Sequence, residues 1–266
     1  MPNVKPKKAL GQHFLTDLDV AARIAATVSG FDGPIVEVGP GMGVLTQFLV
    51  KDHPGKVTVV EIDGESVDWL RDNFPALPPD DILPTDFLRL DLDSVAPGSP
   101  IAVIGNYPYN ISSQIFFHIL DYRDKVPLCS GMLQREVAER LAAPPGTKAR
   151  GILSVLLQAW YDVEYLFTVS EHVFNPPPKV KSGVIKLTRN DVTDLGCDER
   201  TFKAVVKATF GQRRKTIRNS LRGLLPPGCQ LPDEMPLLAM RPEQLSVQDF
   251  IELTRFVSSM RPTPNS

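Results

Sequence analysis

Short runs of apolar residues, each ending in a glycine, an acid or an amide, recur through the first 190 positions and alternate with amphipathic stretches. Ile35-Val36-Glu37-Val38-Gly39 predicts a buried strand that turns through Gly39 to Gly43 into a helix over Val44 to Val50. Val57 to Asp63 predicts a second strand, Asp81 to Leu83 a weaker third leading to Thr85-Asp86, and Ile101 to Ile104 a fourth. A helix over Ser112 to Leu120 leads to a fifth strand, Leu128 to Leu133, and then to a helix carrying Glu136 and Arg140. After a Pro144 to Lys148 loop and a helix over Ile152 to Trp160, Val163 to Val169 and Gly183 to Thr188 are expected to close the sheet as an antiparallel pair. Strands alternating with helices imply a mainly parallel, doubly wound α/β sheet.

Ahead of the first strand, Thr16 and Asp17 are placed to cap a helix whose Leu18, Ala21, Ala25 and Val28 share one face. Residues 1–15, with Lys5, Lys7 and Lys8, are expected to form a basic, flexible arm as far as Gly11. Past residue 190 the strand signals stop. Phe202, Val205, Val206, Thr209 and Phe210 mark one helix face, Ile217, Leu221, Leu224 and Leu225 a second, and Val247, Phe250, Ile251 and Val257 a third, capped by Ser246. The division expected is a catalytic domain over 1–189 and a small all-helical domain over 190–266.

Composition narrows the classes without choosing one. Apolar residues make up 42% and charged residues 23% of 266, with a net charge of −2, so a polyanionic partner must be met by local patches rather than a basic coat. Cys129, Cys197 and Cys229 are scattered with no CxxC spacing, and His53, His118 and His172 show no metal spacing. The basic start lacks an apolar signal core and no run reaches the length of a membrane span, so a soluble, cytoplasmic protein is expected, with no metal.

Chemistry gathers at the strand ends. Gly39-x-Gly41-x-Gly43 lets a ligand approach the backbone, and dinucleotides and other nucleosides both use such turns. Glu37, two residues before Gly39, would repel a pyrophosphate but suits an ammonium or sulfonium. Glu61 can accept ribose hydroxyls in either case, and Asp86 can accept an adenine amine. A nucleoside with a cationic amino-acid tail fits these acids better than a dinucleotide, and S-adenosyl-L-methionine is such a molecule.

The fourth strand runs into Gly105-Asn106-Tyr107-Pro108-Tyr109-Asn110. Pro108 fixes its own φ and pushes Tyr107 towards an extended backbone. The Asn106 amide oxygen and the Tyr107 carbonyl can then accept both hydrogens of an exocyclic amine while Tyr109 stacks on its ring. A proline-stiffened turn with a half-buried tyrosine would carry the same residues, so the acids upstream weight the choice.

Together these segments resemble the ribosomal RNA adenine N6-dimethyltransferases, most of all those that dimethylate two adjacent adenosines near the 3′ end of small-subunit (16S) rRNA. The resemblance runs through Leu10-Gly-Gln-His-Phe-Leu15, Glu37-Val-Gly-Pro-Gly41, Val60-Glu-Ile-Asp63, Gly105-Asn-Tyr-Pro-Tyr-Asn-Ile-Ser112, Gln134-Arg-Glu-Val137, Val173-Phe-Asn-Pro-Pro-Pro-Lys-Val180 and Phe210-Gly-Gln-Arg-Arg-Lys-Thr216. It implies a Rossmann-like class I methyltransferase sheet with helices on both faces, an S-adenosylmethionine cofactor, and action on the immature 30S subunit as a monomer. It also implies that His13 and Leu15 flank the cofactor, that Gly39 and Glu61 hold its methionine and ribose parts, that Asp86 meets its adenine, and that Asn106 lies between cofactor and target. Phe174 would stack on the target base opposite Tyr109. The family usually carries Asn where His13 stands and more often Leu where Tyr107 stands.

For the RNA, Arg214, Arg218 and Arg222 fall four apart as a helical stripe flanked by Arg213 and Lys215, either a phosphate grip or a solvated face. Lys148, Lys179 and Lys181 lie on loops expected near the cofactor side. Other readings stay open: a large-subunit rRNA adenine methyltransferase, a non-catalytic rRNA-binding assembly factor, and, remotely, a nicotinamide oxidoreductase.

Overall fold

A computed structural model describes Val4, Pro6, Lys7, residues 10–232 and residues 234–260. The chain divides into two compact units, one of residues 1–139 and 162–189, the other of residues 140–161 and 190–266. The expected boundary at 190 is thus the start of one segment of the second unit, to which Arg140–Tyr161 also contributes. Lys5 and Lys8 of the expected basic arm lie outside the described residues.

The first unit is built on seven strands. In chain order they are β2 (Ile35–Val38), β3 (Val57–Val60), β4 (Ile82–Leu83), β5 (Ala102–Asn106), β6 (Leu128–Gln134), β7 (Tyr161–Val169) and β9 (Ser182–Arg189), and across the sheet they run β4, β3, β2, β5, β6, β9, β7. The first five pair with one another in parallel, and β9 is antiparallel to β6. All four residues of β2 and the first four of β5 are buried, as expected of parallel strands covered on both faces. Helices α1 (Leu18–Ala25), α2 (Thr46–Asp52), α3 (Gly64–Asn73), α4 (Ser112–Asp121) and α5 (Arg135–Leu141) alternate with these strands. Chain order reverses around β2 and β5, and a crevice opens beyond the carboxyl ends of strands at such a reversal.

A two-stranded ribbon that the apolar pattern does not announce pairs β1 (Phe14–Leu15) with β8 (Phe174–Asn175), Leu15 opposite Phe174. It ties the residues before α1 to the loop before β9. Asp17 caps α1 by accepting from the Val20 N–H at 3.0 Å. The helix buries Ala21, Ile24 and Ala25, and Val28 just beyond it is buried too, but Leu18 is 53% exposed, because a first-turn residue lies at the rim of the face. Nor is the start of the chain a free arm over its described part. Lys7 pairs with the buried Asp63 and with Glu65 at 3.1 Å, and its N–H donates to the Gln12 side chain at 2.8 Å.

The second unit holds α6 (Ile152–Gln158), α7 (Glu199–Gly211), α8 (Ile217–Ser220) and α9 (Val247–Ser259). Leu156, Phe202, Val205, Val206, Phe250 and Val257 are buried in it, and the rings of Phe210 and Phe250 stack at 5.9 Å. Ser246 and Asp249 form a reciprocal cap at the start of α9, with bonds of 2.7 and 3.1 Å. The expected second helix is short: α8 spans four residues and continues as a 3-10 turn over Leu221–Leu224. No helix among the described residues is long and apolar enough to cross a membrane.

Candidate active site

A cleft opens at the carboxyl ends of β2 to β5, with about 1170 Å³ of empty space counted out to its mouth. Its wall takes in His13, Leu15, Glu37, Gly39, Gly41, Glu61, Asp86, Asn106, Tyr107, Pro108 and Tyr109. Eleven of the sequence's twelve candidates for cofactor and target therefore meet here. The exception is Phe174, which is 4% exposed, belongs to the buried apolar cluster and pairs with Leu15. Its pairing with Leu15 places it in the ribbon that flanks the cleft.

The glycine turn owes its shape to backbone that side chains avoid. Gly39 has φ +66° and Gly41 φ +55°, and a Cβ on Gly41 would come within 2.9 Å of the Phe14 ring. The Gly41 N–H donates to one oxygen of Glu61 at 3.0 Å, and the Asp63 N–H donates to the other at 2.9 Å. Both bonds hold the Glu61 carboxylate at the end of β3 with outer lone pairs left for hydroxyl donors. Burial pushes its carboxyl up, against these backbone bonds.

Glu37 is 1% exposed and takes a hydrogen bond from the Thr46 hydroxyl at 2.7 Å. Burial pushes its carboxyl up to about 8, the charge of Glu61 adds to the shift, and the Thr46 bond opposes it. Without a cation beside it, Glu37 is therefore largely neutral at pH 7; a sulfonium or ammonium alongside would favour its ionised form. Burial alone would raise Asp63 likewise, but hydrogen bonds from Lys7, Gln12 and Ser66 outweigh it and hold that carboxyl low. Two buried acids around a close-approach glycine turn fit a nucleoside with a cationic tail.

The far end of the cleft is set by Asp86 and its neighbours. One Asp86 oxygen accepts the Leu88 N–H at 2.9 Å, fixing the carboxylate at the end of β4. Ile62, which the sequence reading passed over, is 57% exposed on the cleft wall with Phe87 and Leu88. An exposed isoleucine after a strand-end acid offers a flat apolar surface to a heterocycle, and that placement was the available signal.

The Asn106-to-Tyr109 turn is held from two sides. The Asn106 Nδ2 donates to the His13 carbonyl at 3.1 Å, which leaves its Oδ1 as the free acceptor. His13 contributes its backbone to this bond. Its ring donates from Nδ1 to the Pro176 carbonyl at 2.8 Å and lies 5.5 Å from the Tyr109 ring, tilted by 31°. Tyr109 is fixed in turn by a 2.5 Å bond between its hydroxyl and that of Ser182. The Tyr107 side chain points away into the core, 1% exposed, where its hydroxyl donates to the Ser130 carbonyl at 2.7 Å and its ring meets Phe116 edge-on. Gly105 and Gly131 make room for it; a Cβ on Gly131 would collide with the ring. The tyrosine side chain is thus absorbed in the core, and what Tyr107 brings to the cleft wall is its backbone.

The expected RNA residues fall in two groups. Lys148, Arg214, Lys215 and Arg222 are exposed on the second unit and Lys179 on the first. Arg213 and Arg218 are committed internally. Arg213 donates to the Lys148 carbonyl and faces Glu243 at 3.8 Å, while Arg218 donates to the Leu231 and Pro232 carbonyls at 3.2 and 2.7 Å. Because Gln212 to Thr216 is not helical, the arginines do not form a single helical stripe.

The model of the ribosomal RNA adenine dimethylase family matches residues 3–258. A protein of Parabacteroides distasonis called ribosomal RNA small subunit methyltransferase A is 65% identical over 253 residues, covering 94% of this chain and 93% of that protein. One of the same description from Bacteroides fragilis is 60% identical over 265 residues, covering 99% and 96%. Among solved structures, a dimethyladenosine transferase from Plasmodium falciparum superposes with a TM-score of 0.72 at 21% identity, covering 93% of this chain and 98% of that one. The 23S rRNA methyltransferase ErmE superposes with a TM-score of 0.67 at 26% identity, covering 91% and 99%. With its α/β sheet, its acid-lined glycine turn and its Asn-Tyr-Pro-Tyr clasp, the chain belongs to the ribosomal RNA adenine dimethylase family and is an rRNA adenine dimethyltransferase.

Proposed function

We propose that this enzyme dimethylates N6 of two adjacent adenosines near the 3′ end of small-subunit rRNA, in the cytoplasm, on the immature 30S particle. The observation that carries the reading is the orientation of Asn106. With Nδ2 committed to the His13 carbonyl, Oδ1 and the Tyr107 carbonyl are two acceptors beside an acid-lined cleft.

The lone pair of an adenine amine is delocalised into its ring. Accepting its N–H groups at Asn106 and Tyr107 favours the pyramidal form, a bond set that strengthens as the amine becomes a nucleophile. S-adenosylmethionine, when bound, supplies an electrophilic methyl on a cationic sulfur. Gly39 and Gly41 allow its tail close to the backbone, Glu37 and Glu61 balance its charge and hold its ribose, and Asp86 with Ile62 receives its adenine. The methylated amine is acidic and loses its proton to water. For the second methylation one N–H remains, so the clasp then holds the amine through a single bond.

Tyr109, braced by His13 and Ser182, supplies the stacking face for the extruded base, worth about 1–3 kcal/mol. Lys148, Lys179, Arg214, Lys215 and Arg222 supply phosphate contacts, and Arg213 and Arg218 brace the loops that carry some of them. The 60–65% identity to proteins described as small-subunit methyltransferases favours that substrate over a large-subunit one. Labelled methyl transfer to undermodified small subunits, compared with large-subunit RNA, tests the reading. Label in the small-subunit RNA is expected; label in large-subunit RNA alone would overturn it.

A further inference from the structure

A second depression lies on the first unit where β6 ends and β9 begins. It is lined by Gln134, Arg135, Glu136, Glu139, Val180 and Lys181, and holds about 640 Å³ on the measure used for the cleft. Its floor is tied to the clasp through the sheet. Gln134 stands opposite Ser182 in the β6–β9 register, and Ser182 bonds the Tyr109 hydroxyl. The Arg135 N–H donates to the Lys181 carbonyl at 2.9 Å, which closes the groove. Asn106 stands opposite Met132, so Gln134 is two residues farther along and one strand across. At about 3.3 Å per residue and about 4.8 Å between strands, the two backbones lie roughly 8 Å apart, which the next nucleotide of a strand can span.

The lining suits a purine nucleotide. Val180 is an apolar side chain left 46% exposed, a surface for a ring face. The Gln134 side chain offers an acceptor and a donor together, the pair that matches the amino group and ring nitrogen of adenine. Lys181 is exposed on one side. On the other, the Arg135 guanidinium bonds Glu139 at 2.7 Å, which holds its remaining N–H groups at the rim.

We propose that this groove receives the adenosine next to the one in the clasp, with Gln134 on its base edge, Val180 against its ring, and Lys181 and Arg135 on its flanking phosphates. The proposal rests on the rRNA dimethyltransferase reading and adds how the enzyme selects a pair of adenosines rather than a single one.

The test uses the full chain and undermodified small subunits carrying either two adjacent target adenosines or an adenosine beside a guanosine. Methyl groups per target are counted by mass spectrometry, and KM and kcat are taken from initial rates. The unmodified enzyme is expected to show about a tenfold higher KM on the adenosine–guanosine particle. Gln134→Ala should raise KM on the adenosine pair by a similar factor and erase the difference between the particles. Lys181→Ala should raise KM on both alike. S-adenosylhomocysteine binding by calorimetry should be unchanged in each variant. If Gln134→Ala, or Val180→Asp should the first variant misfold, discriminates between the particles as the unmodified enzyme does, the groove is not a nucleotide site. Absence of transfer to any rRNA by the unmodified enzyme would instead remove the underlying reading.

Discussion

Asn106 donates through its side-chain Nδ2 to the backbone carbonyl of His13, 3.1 Å away and 93 positions earlier in the chain. The bond decides which end of the amide faces a substrate, and it does so without the His13 side chain. His13→Ala should therefore keep the clasp and lose the ring that braces Tyr109 and bonds the Pro176 carbonyl. Methyl transfer should fall by less than about tenfold, chiefly through a higher KM for RNA. Tyr109→Ala, which removes the stacking face itself, should raise that KM by about 5–150-fold. Steady-state kinetics on both variants check the ordering.

The raised carboxyl of Glu37 links stability to pH. Its value in the folded chain, about 8, lies above the ordinary 4.5, so the folded state holds a proton that the unfolded state gives up between those values. The stability it contributes is fully present below pH 4.5 and is lost as pH rises through 8. The ligand-free Tm should fall between pH 6 and pH 9, and Glu37→Gln, which cannot ionise, should flatten that fall. At about 2–4 °C per kcal/mol for a chain of this size, a difference of at least about 4 °C at pH 9 is expected in calorimetry. The same variant should lose more affinity for S-adenosylmethionine than for S-adenosylhomocysteine, which lacks the sulfonium charge.

Tyr107 separates backbone from side chain. Its hydroxyl donates to the buried Ser130 carbonyl, while its backbone lines the cleft. Tyr107→Phe should cost about 0.5–1.5 kcal/mol in denaturant unfolding, the loss of one buried hydrogen bond to a carbonyl that the β5–β6 ladder still serves. Single-turnover methyl transfer at saturating RNA should change less than twofold, since the acceptor is the backbone.

Lys7 fastens the segment that carries His13 and Leu15 over the cleft, through the buried Asp63 and through Glu65. Lys7→Ala should leave Asp63 with Gln12 and Ser66 alone. Amides of residues 10–15 should then exchange faster by mass spectrometry, and S-adenosylhomocysteine should dissociate faster, while global unfolding is little changed. Because Asp63 is held below its ordinary value, the fastening should also weaken on acidification in the unmodified protein.

What the sequence revealed follows from what local patterns encode. The buried runs at Ile35, Val57 and Ala102 announced parallel strands, and an acid or amide at each end located the cleft, because strand ends in such sheets converge on one crevice. The pairing of Leu15 with Phe174 could not be read this way: two-residue strands have no period, and their partners lie 159 positions apart (174 − 15). Phe174, which the family resemblance sets against the base, is buried in that ribbon. Similarly, the four-residue spacing of Arg214, Arg218 and Arg222 implied one helix, but Arg214 precedes α8, Arg222 falls in the 3-10 turn after it, and Arg218 caps carbonyls of a later loop. Arg140–Tyr161 looks in sequence like one more strand-to-helix connection, and only its packing assigns it to the second unit.

The central claim is that Asn106 acts on the amine and not on the cofactor or the fold. Single-turnover methyl transfer by Asn106→Ala on undermodified small subunits, with S-adenosylhomocysteine affinity and RNA affinity measured on the same preparation, tests it most directly. The expected result is a transfer rate lower by about 10²–10³-fold with both affinities within a few-fold of the unmodified enzyme. Transfer at the unmodified rate, or a loss explained entirely by weaker cofactor binding, would contradict it.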